Sequence, residues 1–149
     1  MIEERALRRA EEFFHEQIPL TRTMGVRVVA SDEQGFAIEA PVALNSNHLR
    51  TAFGGSINAV ATLAAYGFLW LELDAPGVHV VVAESSIRFL RPVRVMIRAI
   101  CERPAADEWK AFQTRFQSAG KARMKLRVKV VEGDQTAAEF EGTFVAQAG

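Results

Sequence analysis

The chain has 149 residues, the usual size of one domain, and 49% of them are apolar, enough for a real core. Its 18 basic and 18 acidic residues balance without a basic run, so nucleic acid, whose binding leans on clustered positive charge, is not an expected partner. The single cysteine, Cys101, excludes an internal disulfide and a multi-cysteine metal site, and within the apolar run Val95 to Cys101 it reads as a small core residue rather than a nucleophile.

The N-terminus runs Met1-Ile2-Glu3-Glu4-Arg5 into charged helix, which is no signal peptide, so a cytoplasmic location is expected. Glu3 to Gln17 places Ala6, Leu7, Ala10, Phe13 and Phe14 on one side, at helical spacing. Pro19 and Gly25 break that pattern. Val26 to Ala30 and Phe36 to Ala40 are short β-rich runs, read as a hairpin with a loop of five residues, Ser31 to Gly35. A polar loop, Asn45 to Thr51, comes next. After Gly54-Gly55 an almost uniformly apolar helix begins. Its most apolar stretch, Ser56 to Leu71, is shorter than the ~20 residues of a membrane span and carries Asn58 and Thr62. A helix wrapped by other structure is the expectation, with no membrane.

Asp74-Ala75-Pro76-Gly77 ends that helix. Val78 to Leu90 reads as a long strand, buried in its β-branched first half. Arg91-Pro92 interrupts, and Val93 to Glu102 follows. Ala106 to Ala119 carries Trp109, Phe112 and Phe116 at helical spacing, with Gly120 as C-cap. Arg123 to Val131 alternates Met124, Leu126, Val128 and Val130 against Lys125, Arg127 and Lys129, a period of two. Glu132-Gly133-Asp134 turns the chain into a last strand, Ala137 to Gln147.

The order is α-β-β-α-β-β-α-β-β. Short connections favour antiparallel pairing. A sheet curled around one buried helix satisfies both the helix and the sheet's apolar face. The fold class expected is therefore α+β, a single domain over residues 1–149 with the hot-dog architecture: an antiparallel sheet of about six strands wrapped around one long apolar helix, plus an N-terminal and a third helix.

The segment Asn47-His48-Leu49-Arg50-Thr51-Ala52-Phe53-Gly54-Gly55-Ser56, and later Glu84-Ser85-Ser86-Ile87-Arg88-Phe89-Leu90-Arg91-Pro92-Val93, resemble the thioesterase domain of the YiiD C-terminal type, which some bacteria carry behind an acetyltransferase domain. Ile18-Pro19-Leu20-Thr21 and Phe140 to Val145 resemble the same family, so the likeness covers nearly the whole chain. More distantly, the loop is similar to the phenylacetyl-CoA and acyl-CoA thioesterase branch of hot-dog proteins, where an Asn is followed by His-Gly-Gly and then by a carboxylate on the helix. Asn47 has that branch's spacing to position 53. Phe53, however, replaces the His, and Thr62 stands where the helix carboxylate would fall.

The resemblance implies hydrolysis of an acyl-CoA or acyl-carrier-protein thioester, in a tunnel between two subunits of a homodimer or homotetramer, with acyl-CoA as substrate and no cofactor. Such hydrolysis needs a stabilised oxyanion, an aimed water and a base. Gly54, Gly55 and Ser56 stand where a helix N-terminus offers unpaired amides; the same glycines also suit a tight turn. Asn47, and less so Asn45, are candidates to hold the carbonyl or the water. Either could instead bond its own backbone. His48 is the one histidine of the loop, a base or a donor that fixes the loop. Glu84, after Val80 to Ala83, reads as a buried carboxylate that orients water or acts as base, or else pairs with Arg88. An i, i+4 distance of ~13 Å along a strand makes that pair hard to close. Glu84, Ser86 and Arg88 share one strand face; Ala83, Ser85, Ile87 and Phe89 share the other. Substrate contacts are expected from Asn45, Phe53, Gly54, Ser56, Ser85, Ser86 and Arg88, and Arg50, Arg88, Lys121 and Arg123 are the basic candidates for CoA phosphates.

His15, His48 and His79 are far apart with no ligand spacing, so no metal is expected. Two other functions fit the fold. The residues at positions 53 and 62 favour a non-catalytic acyl-CoA-binding module. A dehydratase of 3-hydroxyacyl thioesters would show a clearer His with an acid on the helix.

Overall fold

A computed structural model describes residues 4–149, so Glu3 of the expected first helix lies outside the described residues. Helix α1 (Glu4–Gln17) buries Ala10 and Phe14. It is tied to the following strand by His15 Nε2, 2.8 Å from the carbonyl of Val26, and by Glu11, whose carboxylate accepts the Val28 amide at 2.9 Å. A single helical turn, α2 (Leu20–Thr23), follows, which the sequence did not indicate. Pro19 holds helical dihedrals ahead of it, and the buried Thr21 hydroxyl donates to the Ile18 carbonyl at 2.8 Å.

Strands β1 (Arg27–Asp32) and β2 (Gly35–Pro41) form the expected hairpin, but its loop is Glu33-Gln34 rather than five residues. The Gln34 amide bonds the Asp32 side chain at 2.9 Å, closing the turn locally. A 3₁₀ turn (Val42–Leu44) leads through the polar loop to α3 (Gly54–Leu73). By length and composition alone α3 passes as a membrane span. Here it lies in the core, burying Ile57, Val60, Leu63, Phe68, Leu69 and Leu71 among others. Asp74, in a left-handed conformation at φ 44°, ends it.

The remaining elements are β3 (His79–Phe89), β4 (Met96–Cys101), α4 (Ala106–Ala119), β5 (Lys121–Glu132) and β6 (Gln135–Gln147). The strands form one antiparallel sheet in the order β1-β2-β4-β5-β6-β3. Its inner face packs on α3. The period of two in β5 resolves as expected: Ala122, Met124, Leu126, Val128 and Val130 are buried, while Lys121, Arg123, Lys125 and Arg127 are exposed. Trp109 on α4 stacks on Phe112 and meets Phe68 of α3 edge-on at 5.5 Å between centroids. Cys101 is fully buried, and that burial pushes its thiol pKa up, as befits an inert core residue.

Two further expectations are corrected. The strand expected from Val93 begins only at Met96, because Arg94, Val95 and Met96 give their amides to the Glu132 carboxylate. The run Val80 to Ala83 was expected to be buried. β3 is instead an edge strand with β6 as its one neighbour, so Val81 is 59% and Val82 42% exposed.

Candidate functional site

The loop Asn45 to Phe53 delivers the chain into α3. Phe53 is the N-cap, extended at φ −64° and ψ 133°, with no side-chain cap bond. Its own amide donates to the Asn45 carbonyl at 2.8 Å, and its carbonyl accepts the Ile57 amide at 3.0 Å. The intervening N–H groups of Gly54, Gly55 and Ser56 have no acceptor among the described residues. They stand at the positive end of a 20-residue helix dipole, an arrangement suited to developing negative charge.

Two phenyl rings frame these amides. A Cβ built on Gly55 would stand 2.5 Å from Cε2 of Phe53, and one on Gly54 would stand 3.5 Å from Cζ of Phe89. Both rings are more than half exposed, Phe53 at 56% and Phe89 at 54%. The site is thus open on an apolar rim, and Phe89, at the end of β3, joins it beside the residues read from sequence.

Asn47 bonds within the loop, and Asn45 ties the loop to the chain before it. Asn47 Oδ1 accepts the amides of Leu49 (2.9 Å) and Thr51 (3.2 Å), and its Nδ2 donates to the Thr51 hydroxyl at 3.0 Å. Buried Asn45 donates to the carbonyls of Met24 (2.9 Å) and Pro41 (2.8 Å). These bonds fix where the chain enters α3 and use both polar atoms of Asn47 and the Nδ2 of Asn45. His48 and Arg50 sit exposed on the same loop, Arg50 at φ 64°.

A second set of bonds braces the loop from the sheet. The Ala52 amide donates to the Val93 carbonyl at 2.8 Å, and the Val42 amide to the Val95 carbonyl at 3.0 Å. Residues 94–96 are in turn held by Glu132, which accepts the amides of Arg94 (3.0 Å), Val95 (2.8 Å) and Met96 (3.3 Å). Partial burial alone would raise this carboxyl's pKa. The three amides, with Arg94, outweigh it and hold the group below the usual glutamate range. No local pattern marks Glu132 in the sequence, because its partners lie 36 to 38 residues away.

Glu84 is not where the sequence put it. A bulge between Val82 and Glu84 shifts the register, so Glu84, Ser86 and Arg88 pair with Thr143, Glu141 and Glu139. Ser85, Ile87 and Phe89 pair with Gly142, Phe140 and Ala138, all buried, which marks the inner face. Glu84 and Ser86 therefore stand exposed on the sheet's outer face, near Lys125 and Glu141, with the sheet between them and α3. Arg88 pairs with Glu139 at 3.6 Å rather than with Glu84. Lys121 and Arg123 lie on that same outer face, on β5. Asn47, His48, Phe53, Gly54, Gly55 and Ser56 are thus brought together, and Glu84, Ser86 and Arg88 form a separate group.

A further hollow, of about 410 Å³, lies at the other end of α3, over the stacked rings of Phe13 and Trp70 (4.4 Å between centroids).

The fold is shared with known proteins. A structure from Chlorobaculum tepidum, of a protein of unknown function, superposes with a TM-score of 0.89 at 27% identity, covering 98% of this chain and 96% of that one. A structure from Shewanella oneidensis, described as a "putative thioesterase", gives 0.87 at 27% identity, over 99% of this chain and 100% of that one. The phenylacetic acid degradation protein PaaI from Thermus thermophilus shares the fold at a TM-score of 0.59 and 20% identity, over 85% of this chain and 97% of that one. The family model "Putative thioesterase (yiiD_Cterm)" matches residues 7–148, and the chain belongs to that family of hot-dog proteins.

Proposed function

We propose that this chain hydrolyses an acyl thioester carried on coenzyme A or on an acyl carrier protein, and does so as a homodimer in the cytoplasm. The observation that carries this reading is the trio of unpartnered amides at Gly54, Gly55 and Ser56, at the open N-terminus of α3 between two exposed phenyl rings. A thioester carbonyl set there acquires negative charge as water adds, and the amides stabilise it. The C–O bond to water forms while the carbonyl π pair moves to oxygen. Collapse then breaks the C–S bond and releases the thiolate. His48, the imidazole of the loop, is the group proposed to take the water's proton. The rings of Phe53 and Phe89 supply apolar contact for the acyl chain. Arg50 on the loop is the basic residue proposed for a CoA phosphate; Lys121 and Arg123, on the outer face at the far end of β5, are not placed to serve it.

The β3 edge supports the proposed dimer. β3 is 11 residues long, and its outer backbone groups have no strand beside them among the described residues. A long edge with exposed Val81 and Val82 is a template for pairing, and a second copy of the same edge satisfies it symmetrically.

Gly54 offers a selective test. It is the first helical residue, where proline is well tolerated, and Phe53 before it already has the extended conformation that proline requires. Gly54→Pro therefore deletes one amide N–H with little disturbance, and Gly54→Ala keeps it. Release of free thiol from short, medium, long and aromatic acyl-CoAs should proceed in the wild type and in Gly54→Ala, and fall by about 10²–10³ in Gly54→Pro. Equal rates in both variants would remove the amides from the chemistry. Tight acyl-CoA binding without turnover in the wild type would favour a binding module, which the absence of a carboxylate at Thr62 also suits.

A further inference from the structure

Among the described residues, one buried side-chain polar atom lacks a hydrogen-bond partner: Oδ1 of Asn58. Thr62, one turn on, does not relieve it, since its hydroxyl donates to the backbone carbonyl of Asn58 at 2.8 Å. An orphaned buried acceptor costs about 1–3 kcal/mol, and native structures leave few of them. The fold gives this atom no protein partner.

Its position points elsewhere. Side chains of a helix lean toward its N-terminus, over the residues three and four earlier. For Asn58 those are Gly55 and Gly54, which have no side chains to intervene. By that helix geometry the Asn58 side chain stands over the turn whose N–H groups are unpartnered, and the Phe89 ring lies 3.5 Å from a Cβ built on Gly54 in that turn. Along the same face Gly55, Ala59 and Thr62 are at least partly exposed. The aromatic side chains of α1 begin to cover this face only at Tyr66, where Phe13 and Phe14 pack. With Oδ1 turned inward, Nδ2 is the free end of the amide, and it too has no partner among the described residues.

We infer that Asn58 is a substrate-contacting residue whose side-chain amide adds a donor to those of Gly54, Gly55 and Ser56, directed at the thioester oxygen. This rests on the hydrolytic reading above and deepens it. The inward Oδ1 fixes the sense of the amide: the donor faces the oxygen on which charge builds, and the acceptor is kept away from it. No proton is transferred by Asn58.

Three variants test this by kinetics, melting and binding. Asn58→Ala should lower kcat by about 10²–10³, the scale of a lost oxyanion donor, with KM changed far less. Its melting temperature should equal or exceed that of the wild type, because the orphaned atom is gone. Asn58→Asp, which replaces the donor by an anion, should be at least as impaired as Asn58→Ala, whereas Asn58→Ser should retain part of the rate. Full activity in Asn58→Ala with a lowered melting temperature would make the residue structural and overturn the inference. Activity retained in Asn58→Asp would show an acceptor holding water, and would overturn the donor role.

Binding of a non-hydrolysable ketone analogue of acyl-CoA separates this inference from the hydrolytic reading. If the wild type turns over no thioester yet binds the ketone, with Asn58→Ala about 10-fold weaker, hydrolysis fails and the donor stands. Equal ketone affinity in the two proteins sinks the donor, whether or not hydrolysis occurs.

Discussion

The edge of the Phe53 ring lies over Gly55, close enough that a methyl group on Gly55 would stand 2.5 Å from Cε2. The ring is 56% exposed, so it can swing aside, and alanine is the better helix former by about 1 kcal/mol. Gly55→Ala should therefore leave the melting temperature unchanged or slightly raised. The methyl group, and the ring it displaces, would nevertheless crowd the approach to the free amides. Turnover of acyl-CoA should fall at least 10-fold while stability holds. Undiminished turnover would mean that substrate does not approach α3 from this side.

The β3 edge makes a separate prediction. Val81 and Val82 are exposed in a single chain on a strand with one neighbour. Charge on an edge strand blocks pairing by placing like charges across the new ladder. The double variant Val81→Lys, Val82→Lys should sediment as a monomer, whereas the wild type sediments as a dimer. A wild type that stays monomeric at micromolar concentration would refute the paired edge.

Packing around α3 sets a third. Gly67 is buried, and a Cβ there would stand 2.6 Å from Cε2 of Phe36 and 2.7 Å from Cζ of Phe14. Both rings are fully buried, so neither can retreat as Phe53 can. Overpacking of this kind costs about 1–3 kcal/mol. Gly67→Ala should lower the urea midpoint accordingly, despite alanine's higher helix propensity. A higher midpoint would show that α3 and its neighbours have slack.

These contrasts show which features were legible in the sequence. The helix apolar all round, the alternation of Met124 to Val130 and the caps at Asp74 and Gly120 are local patterns, and each produced the expected element. Glu84 is exposed where burial was expected, because a β-branched run does not say whether its strand is central or at an edge; that depends on which strands flank it, and β3 has only β6. Asn47 and Asn45 were read as candidates to hold the carbonyl or the water, but their partners lie in the loop and at Met24 and Pro41. A residue type on a functional loop does not reveal whether its polar atoms are already used. Asn58 was read merely as a polar interruption of an apolar helix, since an orphaned atom becomes visible only once its neighbours are known.

Glu132 gives the last prediction, because it was read only as a turn residue and yet braces the loop from the sheet. Its carboxylate accepts three successive amides at residues 94–96, and the carbonyls of Val93 and Val95 hold Ala52 and Val42. Its folded pKa lies below the ordinary glutamate value of 4.5. The stabilisation it provides is therefore complete above that value and disappears as the pH falls through the lower folded one. Glu132→Gln keeps the shape but loses the charge and one of its two acceptor oxygens. It should be less stable than the wild type at pH 7 by about 1 kcal/mol, below the usual worth of hydrogen bonds to charged groups because the site is partly open to solvent. Urea midpoints of the two proteins should converge as the pH is lowered from 5 toward 3. A gap that stays constant over that range would mean that the carboxylate's charge is not what holds the 94–96 segment. The same variant should lose turnover at pH 7 with its amides and His48 intact, since the loop that carries them would have lost its anchor.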